Sequence, residues 1–77
     1  MDTQAQVIEI IRRVTGNNIE EMDPDESLFD SGILDSFALT DVVTTLEKQF
    51  SISVPDSDLT PRKFQSISRI VAYIENQ

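Results

Sequence analysis

The sequence contains neither cysteine nor histidine. Without cysteine the chain forms no disulfide and offers no thiolate nucleophile, and without histidine it lacks the commonest general base and a principal zinc ligand. We therefore expect a protein that does not catalyse a reaction on its own.

Positive charge is also scarce, with six Lys and Arg residues against fourteen Asp and Glu and a formal net charge of −8. Nucleic acids and anionic membrane surfaces are bound mainly through Lys and Arg, so neither is an expected partner. The excess is local, because residues 20–58 contain eleven acids and a single base, Lys48. These acids are interpreted either as a surface that attracts basic proteins or as ordinary solubilising charge.

Long apolar runs are absent as well. No segment approaches the roughly 20 apolar residues that span a membrane, and the N-terminus has no basic stretch leading into an apolar signal core. We expect a cytoplasmic protein that does not insert into membranes. Its 77 residues suit one domain covering residues 1–77, and we expect a monomer.

Three amphipathic helices are predicted from apolar residues spaced three and four apart. The first covers about residues 3–15, with Thr3 as its cap. The second begins at Ser36, and the third runs from its cap Ser66 to Asn76. The apolar positions on these helices are Val7, Ile8, Ile10, Ile11 and Val14; Leu39, Val42, Val43, Leu46 and Phe50; and Ile67, Ile70, Val71 and Ile74.

The connections complete an all-α prediction. Residues 19–35 form a long loop whose dispersed apolar residues are expected to hold it on the core. Residues 50–54 alternate like a strand but have no partner, so an extended connector is predicted, and a single turn is expected at residues 61–64. The result is a small bundle of three to four helices with a long loop between the first two.

The start of the second helix combines an acid, a hydroxyl and an aromatic ring. Asp35 and Ser36 are both good helix caps, which is one interpretation. The other is that Ser36 holds a phosphate group, which the N-terminus of a helix stabilises. Phe37 falls on the polar face, where its ring either folds under the preceding loop or contacts a partner.

Asp41 and Glu47 lie on the same polar face of this predicted helix. They are either simply solvated or part of a docking surface for basic partners.

Considered together, these segments resemble the acyl carrier protein family. That family has an apolar loop ending in glycine, two apolar residues and Asp-Ser, followed by a helix with a Leu-Glu step and an aromatic residue that leads into a segment ending in proline. The resemblance covers nearly the whole chain. The matching segments are Leu28-Phe29, Gly32-Ile33-Leu34, Asp35-Ser36, Leu46-Glu47, Phe50, Ile52-Ser53-Val54-Pro55 and Phe64-Gln65-Ser66-Ile67.

The resemblance implies a carrier that is not itself an enzyme. Ser36 is the implied attachment site of a 4′-phosphopantetheine arm, and Asp35 the acid that helps engage the transferase and its Mg²⁺. The arm supplies the thiol that the chain lacks and carries an acyl or aminoacyl group as a thioester. The implied partners are a phosphopantetheinyl transferase and the enzymes that load and unload the cargo in a fatty-acid, polyketide or dedicated pathway. They would be recognised through Phe37, Asp41 and Glu47.

Departures from the fatty-acid type keep other cargoes open. Phe37 stands where such carriers usually have leucine, and Ala38 and Lys48 stand where they have acids. Asp-Ser-Phe is similar to D-alanyl carrier proteins, so an aminoacyl carrier is an alternative. An alternative of another class is an acidic interaction module that never receives the arm. A calcium loop near Asp23 is disfavoured because Leu28 stands where such a loop needs glycine.

Overall fold

A computed structural model describes residues 2–77 of the chain. Its helices are α1 (Thr3–Thr15), α2 (Ser36–Phe50) and α3 (Ile67–Glu75), with a short 3₁₀ helix (Asp56–Asp58) between the last two. α1 packs against both α2 and α3. The described residues contain no strand, and the all-α prediction is confirmed.

The N-terminal cap of α1 differs from the sequence prediction. Asp2 is the cap, and its side-chain Oδ1 accepts a hydrogen bond from the Ala5 amide at 2.7 Å. The proposed cap, Thr3, is wrong by one position, because Thr3 is already the first helical residue while Asp2 has the extended backbone that a cap requires. Gly16 ends the helix with a φ of 76°, a left-handed conformation that glycine adopts readily.

The predicted apolar faces of the three helices meet in one core between them. Phe50 lies at the edge of this core and is only half-buried, as are Ile8 and Val14. Phe64, in the turn before α3, is fully buried and its ring centroid lies 5.1 Å from that of Tyr73. The buried apolar residues are Val7, Ile10, Ile11, Ile19, Leu28, Leu34, Leu39, Val42, Val43, Leu46, Val54, Phe64, Ile67 and Ile70.

The long loop is held to the core through Leu28. This side chain is fully buried, and its backbone N–H donates to the Gln65 carbonyl at 2.7 Å. Its own carbonyl accepts hydrogen bonds from the amides of Ile33 and Leu34 at 3.0 and 2.9 Å. The loop is therefore fixed at both helix starts, since Gln65 precedes α3 and Leu34 precedes α2.

The remaining connections also follow the prediction. Residues 52–55 have no regular structure, and Val54 is buried, as predicted for an inward-facing residue of this connector. Residues 61–64 form a turn, in which the Lys63 amide donates to the Thr60 carbonyl at 3.2 Å. Between residues 2 and 77, the longest and most apolar helix falls short of what a bilayer crossing needs.

Candidate functional site

Ser36 is the first residue of α2, and its side chain is exposed. The capping role belongs to Asp35, whose Oδ1 accepts a hydrogen bond from the Ala38 amide at 2.8 Å. The Asp35 carbonyl accepts the Leu39 amide, also at 2.8 Å. Within residues 2–77 the Ser36 hydroxyl makes no hydrogen bond. Of the two interpretations of this pair, capping therefore applies to Asp35 and leaves Ser36 available for chemistry.

The surroundings of Ser36 suit a phosphate group. Backbone amides in the first turn of a helix have no intrahelical acceptor, and only the Ala38 amide is taken by the Asp35 side chain. The dipoles of the Ser36 and Phe37 amides would therefore stabilise an anion placed at this end of α2. A phosphodiester on the Ser36 oxygen fits this position, because the hydroxyl is exposed and is not needed to hold the fold.

The loop before α2 fixes where Ser36 is presented. Gly32 has a φ of 82°, which favours glycine, and its amide donates to the Phe29 carbonyl at 3.1 Å. Leu34 is buried, so the chain is anchored only two residues before the exposed Ser36. The exposed Ser36 hydroxyl therefore stands on a backbone that is anchored to the core through Leu34.

Phe37 lies next to Ser36 and is 86% exposed, which makes it the only large apolar side chain that stands fully in solvent among the described residues. The alternative in which the ring folds under the preceding loop is wrong. Phe29 and Ile33, apolar residues of that loop, pack against the core, whereas the Phe37 ring does not. The ring is placed where any protein that reaches Ser36 would meet it.

The two predicted recognition acids have different environments. Asp41 is exposed, one turn beyond Phe37. Glu47 is half-buried, and its Oε2 accepts a hydrogen bond from the Val54 amide at 2.8 Å. That bond ties the end of α2 to the connector that follows. The sequence contains no local signal for it, because the two residues are brought together by the reversal of the chain after α2.

Threonine hydroxyls near these acids donate to backbone carbonyls of α2. The side-chain oxygens of Thr40 and Thr44 donate to the carbonyls of Ser36 and Thr40, at 3.2 and 2.9 Å. The acids of α2 are Asp41 and Glu47, and Lys48 offsets one of them. Most of the acids in residues 20–58 therefore lie in the loop before α2 rather than on the helix.

The two surface cavities described for residues 2–77 lie away from Ser36. Two surface cavities of about 500 and 310 Å³ lie along the turn before α3, and Ser36 lines neither. Within the described part of the chain, His, Cys, Asp and Glu residues form no group of three able to hold a metal ion. Ser36 is an exposed residue at the N-terminal end of α2.

These features define a small helical protein whose exposed serine opens a helix beside a capping aspartate. Residues 5–74 match the family described as phosphopantetheine attachment site. The chain belongs to this family of carrier proteins, whose cofactor is a covalently attached 4′-phosphopantetheine.

Several proteins similar to this chain over most of their length are D-alanyl carrier proteins. The chain is 33% identical to the D-alanyl carrier protein of Lactobacillus acidophilus over 76 residues, which cover 99% of this chain and 95% of that one. It is 38% identical to the D-alanyl carrier protein of Streptococcus sanguinis over 71 residues, or 92% and 89% of the two chains. The D-alanyl carrier protein of Leuconostoc mesenteroides is 30% identical over 76 residues, or 99% and 96%.

Proposed function

We propose that Ser36 carries the phosphopantetheine arm. The observation that supports this most directly is the exposed Ser36 hydroxyl at the start of α2, which makes no hydrogen bond within residues 2–77 because Asp35 caps the helix. When bound, the arm supplies a terminal thiol that forms thioesters. The chain's own part is to present the serine oxygen, to hold α2 in place and to stabilise the phosphate at the helix N-terminus.

The chain then acts as a single carrier domain and not as an enzyme. Ser36 lines neither of the two described cavities, and the sequence has no Cys or His to activate a substrate. The catalytic groups come from its partners: a phosphopantetheinyl transferase and the enzymes that charge and discharge the thiol. Such a carrier works as a monomer in the cytoplasm, where these enzymes reach it.

The cargo we infer is an aminoacyl group, and D-alanine in particular. The inference is supported by the D-alanyl carrier proteins that share 30–38% of its residues. Phe37 also follows Asp35-Ser36 at the position where fatty-acid carriers typically have leucine, and this difference favours a carrier of the D-alanyl type.

Partners would dock on the exposed end of α2. Phe37 offers an apolar contact next to the serine, and Asp41 offers a carboxylate one turn further on. Glu47 keeps one carboxylate oxygen, Oε1, without a hydrogen bond among the described residues, while Oε2 holds Val54. Asp35 combines its capping role with a charge that a transferase and its Mg²⁺ would meet.

Intact-protein mass after incubation with coenzyme A and a broad-specificity phosphopantetheinyl transferase tests the attachment site. We expect a gain of one phosphopantetheinyl group, lost in Ser36→Ala and kept in Ser53→Ala, an exposed serine in the connector. No gain in the wild type, or a gain that persists in Ser36→Ala, would show that the attachment proposal is wrong and favour the unmodified interaction module.

The cargo needs a separate measurement on the loaded chain. We expect an ATP-dependent enzyme that activates D-alanine to transfer it to the arm, with a mass gain reversed by hydroxylamine. If the loaded chain accepts fatty acyl groups and not D-alanine, the aminoacyl assignment is wrong and the carrier role stands.

A further inference from the structure

A surface groove of about 500 Å³ runs along α3 and the turn before it. Arg62, Lys63 and Arg69 line it, which is half of the six basic residues of the chain. The lining contains no Asp or Glu among the described residues. In a protein with a net charge of −8, this groove is a local concentration of positive charge.

The two guanidinium groups in the groove are not used within the described residues. On α1, Arg12 and Arg13 lie beside Glu9. Beside the groove, Asp58 contacts Lys63, whose Nζ is 3.7 Å from its Oδ1, and accepts a hydrogen bond from the Tyr73 hydroxyl at 2.8 Å. Across residues 2–77, the side chains of Arg62 and Arg69 have neither an ion pair nor a hydrogen bond. Their donors remain available for an incoming carboxylate, which a guanidinium binds through two parallel hydrogen bonds.

The walls of the groove favour a macromolecular partner over a small ligand. Ala72, Asn76 and Gln77 are exposed, as are both arginines, and Tyr73 is only half-buried. Small-molecule sites hold most of the ligand surface and orient it with precisely placed polar groups. A shallow groove with long, exposed donors instead suits carboxylates on a partner's surface.

A membrane surface fits less well. Peripheral membrane binding combines basic residues with apolar side chains that enter the lipid. The only fully exposed large apolar side chain of the described residues is Phe37, on α2. The occupant favoured by charge and shape is an acidic protein segment.

We propose that the α3 groove is a docking site for an acidic segment of a partner protein. It is distinct from the exposed end of α2 and does not depend on the phosphopantetheine arm. The chain would then present opposite charges at two surfaces, the acidic residues 20–47 and the basic groove. Two surfaces of opposite sign fix the orientation of a partner more strongly than one does.

Titration of the full-length, ¹⁵N-labelled chain with a hexaglutamate peptide at low ionic strength tests this proposal. We expect saturable shifts of the Ala72 and Asn76 amides that weaken as salt is added. Arg62→Gln/Arg69→Gln should weaken binding about threefold to tenfold, the loss of two exposed ion pairs. Arg12→Gln/Arg13→Gln changes the net charge equally, at exposed arginines on α1, and should change binding less than about twofold. Thermal unfolding confirms that both variants fold.

Several results would overturn the proposal. These are the absence of saturable shifts at the groove, or an equal loss of binding in the Arg12 and Arg13 variant. Tighter binding to phosphatidylglycerol vesicles through the same two arginines would assign the groove to a lipid surface. Self-association of the wild type at low salt, abolished in Arg62→Gln/Arg69→Gln, would assign it to a second copy of this chain.

Discussion

α2 and α3 both begin beside a serine, but the two serines occupy different positions. Ser66 is the cap of α3; it is 4% exposed, and its Oγ accepts the Arg69 amide at 3.2 Å. Ser36 lies one position further in, as the first residue of α2, where it is exposed and Asp35 provides the cap. The Ser66 hydroxyl therefore stabilises a helix start, whereas the Ser36 hydroxyl makes no hydrogen bond within residues 2–77.

The difference shows how a hydroxyl remains exposed and without a hydrogen bond at a helix start. Backbone amides in the first turn of a helix have no intrahelical acceptor, so the oxygen of a serine at the cap position accepts a hydrogen bond from one of them. Placing an aspartate at the cap satisfies those amides and leaves the next residue free. The Asp-Ser order, rather than the serine alone, defines the candidate site.

The largest expected effect on loading comes from replacing the Asp-Ser start of α2 with a serine cap like that of α3. Asp35→Ser/Ser36→Ala places a serine at the cap and removes the exposed hydroxyl. We expect this variant to fold, because serine is a good cap, and to gain no phosphopantetheinyl mass. Intact-protein mass and thermal unfolding measure the two outcomes. Modification of the serine introduced at the cap position would mean that position relative to the helix does not determine reactivity.

Much of this arrangement was predictable from residue order. The spacing of apolar residues located the three helices to within a residue or two, and Ser66 was correctly predicted as a cap. The start of α2 remained ambiguous, since both Asp35 and Ser36 have oxygens that cap helices. Which of them does so depends on where the backbone turns helical, and the buried Leu34 and the anchored loop set that point.

Contacts between distant segments were not predictable. Phe64 is fully buried, yet it sits in a short turn without periodicity. The bond from the Val54 amide to Glu47 crosses a chain reversal. In the basic groove, Arg62 and Lys63 of the turn lie beside Arg69 of α3, and the sequence alone does not show that these three residues share a surface. Each depends on tertiary packing rather than on local pattern.

The buried Leu28 side chain packs the loop before α2 into the core, so its truncation tests how far that packing stabilises the fold. Leu28→Ala should lower the free energy of unfolding by about 2–5 kcal/mol, since the side chain is fully buried and leaves a cavity. Denaturant unfolding measures the loss. Phe37→Ala, at a large exposed side chain, is the control and should change stability by less than about 0.5 kcal/mol. A similar loss in both variants would contradict the assigned burial.

Asp35→Asn separates the two roles of the capping residue. Asparagine caps as well as aspartate, so stability should stay within about 0.5 kcal/mol of the wild type. Loading by the transferase should slow about tenfold, the equivalent of one lost contact to a charged group. Initial rates of mass gain provide the measurement. Unchanged loading in Asp35→Asn would confine Asp35 to capping.

Ser66→Ala completes the comparison with the smallest expected change. It removes the acceptor of the Arg69 amide and should lower the free energy of unfolding by about 1 kcal/mol, or about 4–8 °C in melting temperature for a domain of this size. Loading at Ser36 should be unaffected. Ser36→Ala is the matched control and should leave stability within about 0.5 kcal/mol, because its hydroxyl makes no hydrogen bond within the described chain. If Ser36→Ala destabilised the fold as much as Ser66→Ala, the two serines would share a structural role, and the availability of Ser36 would need another explanation.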